Sequence, residues 1–149
     1  MDEIRYRAIG TVRSPFTPDG DQSLPHIDAR GVVSTIEVFP EYMAGLRDIE
    51  GFSHIILICH LHLSRDYALE VTPPSDTVPH GVFATRSPRR PNPISLTVVR
   101  LNEVDGNFLH VSDLDLVDGT PVLDIKPYTD CIGRQEKVHS GWMQSRDKR

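Results

Sequence analysis

The sequence lacks most of what a membrane, disulfide-stapled or metal-dependent protein requires. None of its 149 positions falls in an apolar run of about eighteen residues, so no segment can cross a bilayer as a helix. The opening Met1-Asp2-Glu3-Ile4-Arg5 is charged and has no apolar stretch of the kind a secretory signal needs, and a cytoplasmic location is expected. Only two cysteines are present, Cys59 and Cys131, far apart and the first inside an apolar run, which reads as reduced structural thiols and not as a disulfide framework. No His-Glu-x-x-His or Cys-x-x-Cys occurs, and the shared parity of His54, His60 and His62 is the sole hint of a metal site, so none is expected. A Gly-x-Gly-x-x-Gly turn and a phosphate-cradling Gly-Lys-Ser/Thr loop are also missing, which excludes a doubly wound nucleotide fold. Helical periodicity is scarce, with Pro40 to Leu46 as the one plausible short helix, and there is no internal repeat.

Short β-branched and aliphatic runs, separated by turn chemistry, make up the rest. Tyr6 to Arg13, Gly31 to Val38, Phe52 to Leu63, Gly81 to Ala84, Thr97 to Leu101, Phe108 to Val111 and Pro121 to Lys126 read as seven strands, with Asp105-Gly106-Asn107 and Asp118-Gly119 as turns. Phe52 to Leu63 is the most apolar and is expected to cross the core. Alternation puts Ile56, Ile58, His60 and His62 on one side of it and Ile55, Leu57, Cys59, Leu61 and Leu63 on the other. The expected fold is all-β, a small closed or nearly closed antiparallel barrel of about seven strands with little helix, because closure removes exposed edges. Residues 1–133 would form this domain, and 134–149 a basic C-terminal tail.

The net charge of -5 argues against a general nucleic-acid coat, but the basic residues are clustered. Residues 86–100 hold Arg86, Arg89, Arg90 and Arg100 with no acid, and the tail holds five basic residues against Glu136 and Asp147. Within Thr85-Arg86-Ser87-Pro88-Arg89-Arg90-Pro91-Asn92-Pro93, three prolines stiffen a segment carrying three arginines. This is either a rigid turn with solvated arginines or a loop built to bind carboxylate or phosphate oxygens. Further on, strand alternation places Asp124 and Lys126 on one side, where they either pair with each other or form a ligand rim.

Ile9-Gly10-Thr11-Val12-Arg13-Ser14-Pro15-Phe16, Gly51-Phe52-Ser53-His54, the whole stretch from His80 to Leu96, and Asp113 to Tyr128 resemble the TrmO family, also called YaeB- or VirR-like. These are β-barrel tRNA methyltransferases dependent on S-adenosylmethionine. The resemblance runs from residue 6 to about residue 130; larger family members carry a further C-terminal domain that it does not reach. It implies methyl transfer from S-adenosylmethionine to the exocyclic nitrogen of threonylcarbamoyl-adenosine beside the tRNA anticodon, by a homodimer that binds its cofactor near the subunit interface. The cofactor residues it implies are Arg86 and Leu96; Asp124, Ile125, Lys126 and Pro127 as a far wall; His62 and Leu63; and Pro25, His26 and Ile27 in the early loop. His62, Asp124 and Tyr128 are the candidate general bases, with no choice among them from sequence. Arg89, Arg90 and Trp142 are the expected RNA contacts, although Trp142 could equally pack on the barrel or on a dimer mate. A non-catalytic module that binds S-adenosylmethionine or RNA and regulates a partner is the alternative function.

Overall fold

The computed structural model describes residues 2–18, 27–130 and 137–145. Eight strands occur among them: β1 (Gly10–Arg13), β2 (Val33–Val38), β3 (His54–His60), β4 (Glu70–Val71), β5 (His80–Gly81), β6 (Ile94–Asp105), β7 (Phe108–Ser112) and β8 (Pro121–Pro127). Six of them close an antiparallel barrel in the order β1-β2-β7-β6-β3-β8, and β4 with β5 forms a separate two-stranded ribbon. Closure is made by β1, which pairs with β2 from Gly10 opposite Val38 to Arg13 opposite Thr35, and with β8 from Gly10 opposite Val122. Ile9 N–H to Val122 O and Val12 N–H to Thr120 O, at 2.8 and 2.9 Å, lengthen the second seam.

Alternation decides which residues fill the barrel. Val12, Ile36, Val38, Ile55, Leu57, Cys59, Val99, Leu109, Val111 and Val122 point inward and are almost entirely buried, and Leu114 joins them from the segment after β7. Two register shifts, between Leu101 and Glu103 against β7 and between Ile58 and Cys59 against β8, supply the bends a six-stranded barrel needs. Burial pushes the Cys59 thiol up to about 12, with the nearby Asp115 charge adding to the effect, so it sits in the core as an unreactive apolar side chain.

The barrel and the scarcity of helix agree with the sequence reading, while three local expectations are corrected. Gly81 to Ala84 is not a strand: only His80–Gly81 pairs, with β4, and Val82–Ala84 turns as a short 3₁₀ segment that buries Val82. The central strand stops at His60: Leu61 N–H still bonds to Pro93 O at 2.7 Å, but Pro93 has no N–H to return, and the chain turns with Ser64 N–H on Leu61 O at 3.1 Å, carrying His62 and Leu63 out of the sheet. The predicted helix is a 3₁₀ segment (Pro40–Leu46), opened by its proline. Cys131, Pro25 and His26 lie outside the described residues.

Gly10 occupies the tightest point of the closure, where an added Cβ would run into the Glu37 main-chain carbonyl oxygen on β2. Gly10→Ala should therefore lower stability by about 2 kcal/mol or more in urea denaturation. Gly45→Ala, at a site with open space, should stay within about 0.5 kcal/mol of the parent.

Candidate functional site

Strand β6 pairs with β3 along Ile94 to Arg100, but β7 covers only its second half, from Arg100 opposite Ser112 to Asp105 opposite Phe108. Strand β7 ends because Asp113 adopts a left-handed conformation (φ 72°), which a short carboxylate side chain tolerates better than most. Its Oδ1 accepts the Gly31 N–H at 2.7 Å and its own N–H donates to Val32 O at 3.1 Å, so the chain is held against the 28–32 turn and leads away from β6. Among the described residues, no strand covers the β7-side edge of Ile94 to Val99. An uncovered strand edge is a row of main-chain hydrogen-bonding groups.

A cavity of about 1040 Å³ fills this notch, at the upper end of the range for small-molecule sites, roughly 300–1,000 Å³. Five pieces of chain enclose it. Ile94 to Val98 form the strand wall, and Asp113, Asp115, Leu116, Val117 and Thr120 the wall opposite. Ile27 to Arg30 and Leu61 to Leu63 close two further sides, with Thr85, Arg86, Pro88 and Arg90 at the arginine loop.

The arginine loop is a rigid knot. Thr85 is buried and its Oγ1 donates to Val82 O at 2.8 Å, while Arg90 Nη1 donates to both Thr85 O and Ser87 O at 3.0 and 2.9 Å. Ser64 Oγ donates to Pro88 O at 2.7 Å, which ties the loop to the Leu61–Ser64 turn. This leaves Arg86 as the arginine extended into the notch, where its Nη2 donates to Leu96 O at 2.8 Å on the uncovered edge of β6. Arg89 is exposed and pairs with Asp66 at 3.2 Å.

The structure brings Ile27, His62, Leu63, Arg86 and Leu96 together around this cavity. His62 is held below the usual imidazole range by partial burial and by neighbouring His60, so its neutral form dominates near neutral pH. Asp124 and Ile125 line a second cavity of about 400 Å³ with Tyr42, Leu46 and Ile49. Asp124 pairs with Lys126 at 3.1 Å, at a half-exposed position where such a pair adds little stability. Tyr128 lines neither cavity and meets His54 edge to face, ring centres 6.4 Å apart. Register nevertheless relates the two groups: Leu96, Ile58 and Asp124 form one row across the outer face of β6, β3 and β8, and Val98, Ile56 and Lys126 the next. Beside those rows, Ile94, Leu96 and Val98 form an exposed apolar stripe. Trp142 lies on the chain's own ribbon, stacked on His80.

Sequence reasoning passed over the acidic wall. Asp113 and Asp115 alternate with buried Leu114 and Leu116, the pattern of a half-buried segment facing an opening, but attention there went to Asp124.

A closed six-stranded barrel with a small-molecule-sized notch in its wall, one arginine on the strand edge and acids opposite, defines the class. Residues 11–133 match the model of the tRNA-methyltransferase O N-terminal domain, and the chain belongs to that family. A Pyrococcus abyssi protein named "Probable S-adenosyl-L-methionine-binding protein" is 50% identical over 141 residues, covering 95% of this chain and 77% of that one. The Escherichia coli K12 tRNA (adenine(37)-N6)-methyltransferase is 38% identical over 139 residues, covering 86% of this chain and 59% of the enzyme. The crystal structure of TrmO from Pseudomonas aeruginosa superposes with a TM-score of 0.72 at 32% identity; the match covers 95% of this chain and 63% of that structure.

The two neighbouring arginines should behave differently. Arg90→Ala leaves the Thr85 and Ser87 carbonyls without their guanidinium donor and is expected to lower stability by about 1 to 2 kcal/mol in urea denaturation. Arg89→Ala removes only an exposed ion pair and should change stability by less than about 0.5 kcal/mol.

Proposed function

We propose that the chain binds S-adenosylmethionine in the β6 notch and methylates the exocyclic nitrogen of threonylcarbamoyl-adenosine next to the tRNA anticodon. The observation that carries this reading is Arg86 beside the uncovered edge at Leu96, in a cavity whose opposite wall is acidic. A zwitterionic amino-acid tail and a sulfonium need both signs of charge close together. Arg86 can hold a carboxylate, and Asp113 and Asp115 offset positive charge. Main-chain groups of Ile94 to Val98 can read the edge of an adenine ring, with Leu61, Leu63, Leu116 and Val117 as apolar walls. Family membership and the names of the relatives support the same reading.

The cofactor supplies an activated methyl group, so the protein's work is to hold donor and acceptor in line and keep water out. His62, neutral and at the cavity, is the candidate base best placed to accept the acceptor's proton. Asp124, Lys126 and the neighbouring Ile125 and Pro127 would enter the site from a second copy. The apolar stripe of Ile94, Leu96 and Val98 is the face on which a homodimer would form. Arg89 on the loop rim would touch phosphate. A cofactor-binding module without turnover is the second reading, favoured by the presence of only one of the three candidate bases at the larger cavity.

Incubation with methyl-labelled S-adenosylmethionine and tRNA bearing unmethylated threonylcarbamoyl-adenosine is expected to label that nucleoside. Binding without label would favour the second reading, and absence of binding would overturn both. Arg86→Ala is expected to weaken cofactor binding by about 1.5 to 3 kcal/mol in calorimetry while the fold is retained; unchanged affinity would remove Arg86 from the role.

A further inference from the structure

Residues 137–145 run back onto the arginine loop and end in a 3₁₀ segment (Gly141–Ser145). Trp142 is the anchor. Its Nε1–H donates to Ala84 O at 2.8 Å, and its indole lies parallel to the His80 imidazole, ring centres 4.4 Å apart with 13° between planes. His80 is itself fixed, with Nε2 2.7 Å from Asp76 Oδ2, and Asp76 also accepts the Thr77 N–H. The indole thus grips both ends of the turn His80 to Ala84. Ala84 is two residues before Arg86, and Thr85 between them belongs to the Arg90-braced knot.

Lys137, Val138, His139 and Ser140 are exposed, so the segment is held through Trp142, with help from half-buried Met143. Among the described residues, the hydrogen bond to Ala84 and the stack on His80 concentrate the attachment at one side chain, and contacts of this kind are worth about 1 kcal/mol each. Such an element opens far more readily than the barrel.

We propose that residues 137–145 are a reversible strap, with Trp142 as a positioning residue that sets the turn leading into Arg86. Docking of the strap and occupation of the notch by a ligand carboxylate then favour each other. The ligand arm rests on the proposed function; the mechanical arm does not. A docked strap fixes the Ala84 carbonyl and with it the backbone that presents Arg86, so less ordering is left for the ligand to impose. By reciprocity, a ligand that orders the loop tightens the strap by the same factor.

Trp142 is the single tryptophan, so its emission reports the strap directly. With S-adenosylhomocysteine as a non-reactive probe, acrylamide quenching of the full chain is expected to fall as the notch fills. Trp142→Ala should weaken binding of the probe about 5- to 30-fold, and Trp142→Phe, which keeps a ring but loses the donor, by an intermediate factor. Amide exchange at Thr85, Ser87 and Arg89 should quicken in Trp142→Ala with the thermal melting of the barrel unchanged. Equal affinity and equal exchange in Trp142→Ala and the parent would overturn the proposal. If the parent binds no probe, the cofactor reading and the ligand arm fail together, and exchange alone still decides whether the strap orders the loop.

Discussion

Strand β7 stops at Ser112 because Asp113 turns the chain away in a left-handed conformation, and its carboxylate secures the departure on the Gly31 amide. Had the strand continued in register for about six more residues, β6 would be paired on both sides and the barrel wall would be closed. The uncovered edge at Ile94 to Val99, the acidic wall of Asp113 and Asp115, and the reach of Arg86 to Leu96 all follow from that single departure. The cavity is thus a place where barrel pairing was left incomplete, and main-chain groups ordinarily spent on a neighbouring strand remain available to a ligand.

The arginine loop shows a division of labour among residues of one type. Arg90 is turned inward to satisfy two carbonyls, Arg89 is exposed beside Asp66, and Arg86 points into the notch. Prolines limit the conformations of the loop and Arg90 closes it, so Arg86 projects from a backbone that is largely ordered before any ligand arrives. The strap at Trp142 extends the same logic to the segment beyond the barrel, acting on the turn from the other end.

The paired rows on the outer face of β6, β3 and β8 give the two groups of predicted cofactor residues a common geometry. Leu96 and Asp124 lie two strands apart in one row, roughly 10 Å by strand spacing, with Ile58 between them. That separation is why one chain gathers His62, Arg86 and Leu96 in one cavity and leaves Asp124 at another. A second copy packed on the exposed stripe is the simplest arrangement in which both groups would act on one ligand.

How much was legible in the sequence follows from the range of the forces involved. Alternation in the central strand separated Ile55, Leu57 and Cys59 from Ile56, Ile58 and His60, and Asp105-Gly106-Asn107 marked a hairpin turn, because side-chain period and turn conformation are properties of a few consecutive residues. The stiffness of the arginine loop was equally local. The strand order, the early end of β3 at His60, the turn of the chain after Gly81 and the fates of Arg86 and Arg89 were not, since each depends on a partner outside its own segment, whereas Arg90 is settled by carbonyls within its own loop. The placement of Trp142 on His80 was left open for the same reason, a lone aromatic having no pattern that says what it will meet. By itself the sequence determined a small β-barrel with an arginine-bearing loop. Only the tertiary structure decided where its wall stays open, because a missing strand pair is a relation between β6 and a β7 that ends at Ser112, and no local pattern encodes it.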